Sequence, residues 1–402
     1  MALLHEHDDA PPYCMCSEEE CHEREKTMEV SEWEATLDSM HKNPKFRRMD
    51  PCLAVAKYRR SAAGTSHHRP PRSLFALHKT WIHLRTLLIR QQRDDTKELK
   101  SLVSTVAFVD DRVRAMQVDL VLSRRGSSEL QIQFLRHHLL SLYLLYPLPR
   151  SKFEPKFSRQ ALVTALTTYW TTDTTPHHHD SNDQVLAITT LCQVAANLLL
   201  PYGIDSWVPP ASITECYRNN VLDETNTDKV ANYTLFQRAL KVASAAHGEW
   251  HYLTLRMLAD WEGNLGVLFR ICVAPALNVL RHGVLEHCNK AFMKKHCLDG
   301  TELARLLCLP TAHDALRFCR QFDLALSQDK KGVLFKVGPM HTPRNNEWLR
   351  YDRATEDHFV FGDGGLDRHD GRIDEDGLSI PPPELFQRLL LQAVVDFDDD
   401  DL

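Results

Sequence analysis

The chain has 402 residues and is 43% hydrophobic, enough to bury a sizeable core, and its length suggests two or three domains. A formal net charge of −6 and an isoelectric point near 6.4 argue against a globally basic, nucleic-acid-coating protein. Eleven scattered cysteines in a chain this long are not a disulfide framework and point to a reducing compartment.

The opening "MALLHEHDDAPP" turns acidic at once and lacks a signal-peptide apolar core. The greasy stretches "LLSLYLLYPL" and "VAANLLLPYGI" are too short and Pro-broken to span a bilayer, so a soluble intracellular protein without a membrane partner is expected. Charge is unevenly distributed. From Lys42 to Arg93 the cations are many and Asp50 is the only carboxylate, whereas carboxylates dominate from Asp363 onward. The asymmetry suggests a basic docking surface and a solvated acidic tail.

Residues 1–50 read as a polar N-terminal region in which Ser17–Met40, rich in helix formers, could be an exposed helix. Gly64 to Pro71 reads as a linker, because Gly frees the backbone and the Pro pair forces extension. The period then becomes helical: Leu74, Leu77, Trp81, Leu84 and Leu88 share one face. Further helices are predicted at Leu99–Ser123, Leu130–Tyr146, Ser158–Trp170, Asn182–Leu200, Tyr233–Ala246, Tyr252–Trp261 and Gly266–Cys297, with Pro275 at a boundary in the last. Two connections look irregular, "TTDTTPHHHDSND" and 201–228, although Ala211–Asn220 could hold a helical turn. Paired helices of modest length suggest a stacked α-solenoid over 51–297.

Residues 298–339 change pattern. Leu303, Leu306 and Leu307 mark one helix, and Ala315, Leu316, Cys319 and Phe322 a second. "LALS" and "VLFKV" alternate as strands around the turn "QDKKG". That order predicts a winged helix capping the helical repeat, so the expected fold is mainly α. Residues 340–402 read as an acidic flexible tail with a short amphipathic helix, "ELFQRLLLQAVVDF", expected to dock on the solenoid or a partner groove.

Candidate chemistry is sparse. Cys14, Cys16, Cys21 and His22 are zinc-capable but poorly spaced for one tetrahedron, and Lys26 replaces the second His of a zincin motif. His177–His179 read as a solvated run. "FGDGGLDRHDGRIDEDG" fails as a calcium loop, where Glu375 takes the Gly place, and as GxGxxG, where Asp367 takes the third Gly. No metal, cofactor or catalytic residue is expected, and a metal-dependent enzyme is the least favoured reading. Cysteines such as Cys192, Cys272, Cys308 and Cys319 lie in apolar patterns as small hydrophobes. Asp111 and Arg114 stand at ion-pair spacing on a helix: a surface pair, or part of an internal network linking helices. Lys330, Lys331 and Lys336 on the wing, with Arg317 and Arg320 on the helix before it, could contact phosphates, and Arg59, Arg60, Arg69 and Arg72 form a second basic set. Ordinary surface cations, or a surface for another winged helix, would read the same way.

Four stretches in order, "AKYRRSAAG", "RPPRSLFALHKTWIHL", "FVDDRVRAMQVDL" and "IQFLRHHLLSLYLL", resemble the Sac-three/GANP family, the leucine permease transcriptional regulators. The family's Arg-Ser-Ala-Ala-Gly element corresponds to Arg60, Ser61, Ala62, Ala63 and Gly64. Its Arg-Pro-Pro element falls on Arg69, Pro70 and Pro71, and its Asp-Arg-x-Arg-Ala helix on Asp111, Arg112, Arg114 and Ala115. "MCSEEECHERE" is similar to the family's Met-Cys-Pro-x-x-Glu element through Met15, Cys16, Glu20, Arg24 and Glu25, with Ser17 in place of Pro. The resemblance runs from about Cys14 to Val337. It implies a PCI-like helical platform with a closing winged helix, acting as a non-enzymatic nuclear scaffold of TREX-2-type mRNA export. The implied partners are a PCI-type subunit, a small acidic DSS-type protein and, through paired winged helices, RNA or DNA. Short members of the family are linked to centrosome duplication and spindle assembly. The chain's length fits that branch, so a cytoplasmic and centrosomal role is the alternative.

Overall fold

A computed structural model describes residues 15–40, 42–59, 70–90, 102–123, 127–146, 148, 151–171, 179–204, 206–208, 233–337, 340–343, 346–349 and 360. Of the predicted flexible tail the described residues are 340–343, 346–349 and 360, and there the expectation is corrected: Trp348, Leu349 and Val360 are buried, with the Trp348 and Val360 carbonyls accepting from Asn278 and Arg270. The amphipathic segment, the 211–220 turn, Cys14 and 60–69 lie outside the described residues. The chain is mainly α, with one small sheet, and divides into two compact units: 1–131 with 172–176, and 132–171 with 177–402.

The first unit begins with α1 (Glu18–Lys26). Ser17 caps it by accepting from the Glu20 N–H at 3.3 Å, three glutamates suit the positive N-terminal end, and Arg24 and Lys26 suit the other. The expected long helix over Ser17–Met40 is a correction: helix stops at Lys26, and turns follow. Nor is the segment simply exposed. Cys16, Val30, Ala35, Met49, Ala54 and Ala56 form a small core, and Ala35 bridges Met49 in antiparallel fashion. Next come α2 (Leu74–Arg90) and α3 (Leu102–Ser123), which pack on each other. The predicted face of α2 is buried at Leu77, Trp81, Leu84 and Leu88, and α3 buries Val106, Val109, Val113 and Met116. Burying each such side chain contributes roughly 1.5–3 kcal/mol.

The unit boundary falls within α4 (Ser128–Leu145). The second unit continues with α5 (Pro155–Thr171), α6 (His179–Leu199), α7 (Thr234–His247), α8 (His251–Ala259), α9 (Gly263–Val273) and α10 (Leu277–Ala291). Here α6 packs on α7 and α9, and α8 on α7, α9 and α10, as stacked helices of a repeat do. Pro275 sits in a single 3₁₀ turn, Ala274–Ala276, because it has no N–H for a continuing helix. The stretches Asn182–Tyr202 and Leu265–Ala291 are long and apolar enough to cross a membrane by length and composition; 67% and 94% of them lie inside the protein, where they form its core. One cap crosses between helices. Asp183 of α6 accepts from the Leu235 and Phe236 N–H groups at 2.9 and 2.7 Å, satisfying donors at the start of α7.

The chain then forms β1 (Cys297–Asp299), α11 (Gly300–Leu307), α12 (Ala312–Arg320), β2 (Ala325–Leu326) and β3 (Gly332–Leu334). The sheet is antiparallel in the order β1-β3-β2, with Leu298 opposite Val333 and Leu326 opposite Val333 on the other side. Cys297, expected to end a helix, instead opens β1, since α10 stops at Ala291. Asp299 and Thr311 cap the two helices. Arg281, fully buried on α10, donates to the Leu307 and Cys308 carbonyls at 3.0 and 3.3 Å and so fastens the end of α11.

Candidate functional site

The first unit gathers its charged residues around Glu34, which is fully buried. Its Oε1 accepts from Arg24 Nη1 at 3.0 Å and from the Val55 N–H at 3.0 Å. Its Oε2 accepts from Arg24 Nη2 and from Arg112 Nη2, the latter at 2.8 Å. The side chains of Arg24 and Arg112 are 1% and 4% exposed. Burial by itself would raise the Glu34 carboxyl; the Arg112 and Arg24 charges and the Val55 N–H outweigh it and hold the carboxyl below its ordinary value. Burial likewise opposes the charge on Arg24, and Glu34 more than restores it. An ion group taken this far from water is kept by geometry and hydrogen bonds, because desolvation offsets much of the attraction.

Around this centre the motif segments are tied together. Arg24 also donates to the Val55 carbonyl at 3.1 Å and the Glu29 carbonyl at 3.4 Å. Glu20 accepts from the Lys57 N–H at 2.8 Å, and Glu25 from the Met49 N–H at 2.7 Å. On α3, Asp111 accepts from Arg112 and from the Tyr58 N–H at 3.2 Å, and the Arg114 guanidinium lies over the Tyr58 ring at 5.2 Å. The expected Asp111–Arg114 pairing gives way to these contacts because Tyr58 supplies both a donor and a ring face. The internal-network reading of that helix is the one observed. Arg72, next to Pro71, donates to Asp119 at 2.5 Å and to the Met15 carbonyl at 3.1 Å. With its side chain 7% exposed in a salt bridge, Arg72 is withdrawn from the expected phosphate-binding set. Arg59 is half-exposed and pairs with Glu23 at 2.8 Å. Arg60, Ser61, Ala62, Ala63, Gly64 and Arg69 lie outside the described residues. The central acid, Glu34, belongs to none of the motifs singled out in the sequence.

In the second unit the cations expected on the wing do not form one set. Lys330 and Lys331 are exposed on the β2–β3 turn, where Asp329 accepts from the Lys331 N–H at 3.1 Å. Lys336 lies past the other end of β3, its N–H bound to Asn289 Oδ1 at 2.8 Å. There it joins the loop of Lys294 and Lys295, whose Lys295 N–H donates to the Phe335 carbonyl at 2.9 Å. Arg317 and Arg320 are exposed on α12, with Arg317 3.6 Å from Asp314.

The same unit holds a cleft of about 510 Å³ between α6, α7 and α10, with Tyr202, His247, His251, His282, Glu286 and His287 on its walls. Its volume is within the range of small-molecule sites. Gly283 permits it: a Cβ there would lie 2.5 Å from the His251 ring. His287 Nδ1 is 2.7 Å from the Gly283 carbonyl, to which it donates its proton. Burial holds His251 and His282 below the ordinary imidazole value, so both are largely neutral at pH 7. The sequence signal was the density of histidines on both sides of one helix pair, which no spacing rule captures.

A family model described as the SAC3/GANP family matches residues 15–328, most of the chain and all of the described motif segments. No curated protein matches the sequence.

Proposed function

This chain belongs to the SAC3/GANP family, and from that premise we propose that it is a non-enzymatic scaffold of mRNA export, assembling in a TREX-2-like complex. The observation carrying this reading is the fate of the motif arginines Arg24 and Arg112 and the acid they share. Glu34, Arg24 and Arg112 are 0%, 1% and 4% exposed and are bound to one another, so their chemistry maintains a shape. Catalytic groups need access to a substrate; these have none. We read β1-α11-α12-β2-β3 as a winged helix, because two capped helices lead into an antiparallel hairpin in that order. A helical repeat ending in such a module fits a PCI-type partner, with a small acidic DSS-type protein as the third component. Lys330 and Lys331 with Arg317 and Arg320 offer a phosphate-binding face.

The test is a tagged pull-down of the full chain from nuclear extract, read by mass spectrometry and by RNA binding. Stable recovery with a PCI-type subunit supports the scaffold; purification as a lone monomer refutes it, and recovery of centrosomal components alone would move the role to spindle assembly. RNA affinity should fall steeply with salt and drop on Lys330→Glu with Lys331→Glu. Affinity unmoved by that double change would remove the wing from the binding face.

A further inference from the structure

We propose that Cys16 and Cys21 are a redox-modification site, closing to a reversible disulfide across the start of α1 when the protein meets a peroxide. The proposal begins with the helix cap. Ser17 is the cap, and the Cys21 N–H makes the first helical bond to its carbonyl at 3.0 Å. Cys16 therefore precedes the cap and Cys21 occupies the fourth helical position. These are the two places whose side chains meet in a hydrophobic staple. Ordinarily both would be apolar; here both are thiols. Cys16 lies in the small core with Val30 and Met49, and Cys21 packs against that core. Neither is already in a disulfide. Staple positions turn their side chains toward each other across the cap, the approach that a disulfide requires.

The two thiols differ in a way that assigns their roles. The hydrogen bond from Cys16 stabilises a thiolate on Cys21, with the Arg24 guanidinium one turn along adding to it, and the Cys21 thiol is held below its ordinary value. That same bond, burial and the Glu20 charge push Cys16 up. Cys21 is half-buried and open to a small oxidant, whereas Cys16 is 7% exposed. Cys21 is thus the attacking sulfur and Cys16 the resolving one. A second thiol pair, Cys192 and Cys272, lacks access: each is 1% exposed, and burial raises the Cys272 thiol strongly.

The chemistry balances. The Cys21 thiolate attacks one peroxide oxygen, the O–O bond breaks, and the departing hydroxide takes a proton to become water, leaving a sulfenic acid on Cys21. The Cys16 sulfur then attacks the Cys21 sulfur. The S–S bond forms, the S–O bond breaks, and the Cys16 proton leaves with the hydroxide as a second water. Two thiols lose two electrons in total and one peroxide gains them; a dithiol reductant reverses the step by exchange. The bridge would be read directly by the motif segments, since the Met15 carbonyl beside Cys16 accepts from both Arg72 and the Ala56 N–H.

The sequence supplies its own assay. Glu18, Glu19 and Glu20 separate the two cysteines, so a protease cutting after glutamate places them on different peptides, held together only by the bridge. Cys14 and Cys16 have only Met15 between them and stay on one peptide. The full-length native chain is treated with graded hydrogen peroxide, blocked with a thiol alkylator, digested and analysed by mass spectrometry. The expected result is a Cys16–Cys21 linked peptide in most of the chain at the lowest peroxide dose that oxidises any thiol. It should vanish with dithiothreitol and in Cys21→Ser, and persist in Cys52→Ser. Both cysteines alkylated after oxidation, a Cys14–Cys16 bridge in its place, or a link forming only in urea-denatured protein would each overturn the proposal. Because these readings are made on the unaltered chain, a misfolded variant does not obscure them.

Discussion

Replacing Glu34 with Gln tests whether the buried ion group holds the first unit together. The carboxylate accepts four hydrogen bonds: two from Arg24, one from Arg112 and one from the Val55 N–H. Gln keeps one acceptor oxygen and turns the other into an amide donor facing a guanidinium. Arg24 then loses its counter-charge, and Arg112 keeps only Asp111. Removing one partner from a buried ion pair costs about 3–5 kcal/mol. That is a shift of roughly a hundred- to several-thousand-fold in the local opening equilibrium. Urea unfolding and hydrogen exchange of the Val55 and Asp50 amides would report it, since the first donates to the Glu34 side chain and the second to its carbonyl at 2.8 Å. A loss below about 1 kcal/mol, the size of an exposed pair, would refute the argument. The companion variant replaces all three members, Arg24→Met, Glu34→Leu and Arg112→Met. Neither the Nε of Arg24 nor that of Arg112 has a partner, so an apolar trio removes two buried unsatisfied donors with the charges. Its stability should lie close to that of the parent, far above the single mutant.

Acid should act through the same carboxylate: Glu34 is held below its ordinary value of 4.5, so its contribution is complete above that pH and is lost as pH falls through the lower folded value. The urea midpoint of the first unit should drop below pH 4.5, with a visibly flatter profile in Glu34→Gln. Asp183→Ala should cost about 1–3 kcal/mol by stranding the Leu235 and Phe236 N–H groups, with Asp183→Asn milder; unchanged exchange at those two amides would contradict the cap. Gly283→Ala should destabilise by about 1–3 kcal/mol despite better helix propensity, because its Cβ would lie 2.5 Å from the His251 ring. Adding His251→Ala should recover most of the loss by thermal melt, and a stabilised Gly283→Ala alone would show that the ring moves aside at no cost.

The helices were legible wherever apolar residues recur at helical spacing, as with Leu77, Trp81, Leu84 and Leu88. So was the break at Pro275, since a missing N–H is a local fact. The strand β1 was not, because three residues carry no period and their partner, Leu334 opposite Cys297, lies far along the chain. The N-terminal region misled for a different reason. Its burial includes charged groups, and polarity read locally signals exposure. That acid is tolerable inside because Arg112, 78 positions later, and the Val55 N–H join Arg24 in binding it. The lysines flanking β3 show the opposite failure: Lys331 and Lys336 are near in sequence, yet a strand between them carries them to its two ends.

The charge group around Glu34 also dictates an order of events during synthesis. Residues 15–58 cannot complete their interior until α3 has left the ribosome, because Arg112 must reach Glu34 and Asp111 must reach the Tyr58 N–H. At about 5–20 residues per second, that wait is roughly 4–16 s, long compared with the closing of a local helix or loop. During it, Glu34 lacks the Arg112 charge and has only Arg24, the Val55 N–H and water, and the segment remains open to chaperones and proteases. A nascent chain stalled before residue 112 should therefore be cut within 15–58, and one stalled well beyond the exit of α3 should be protected there.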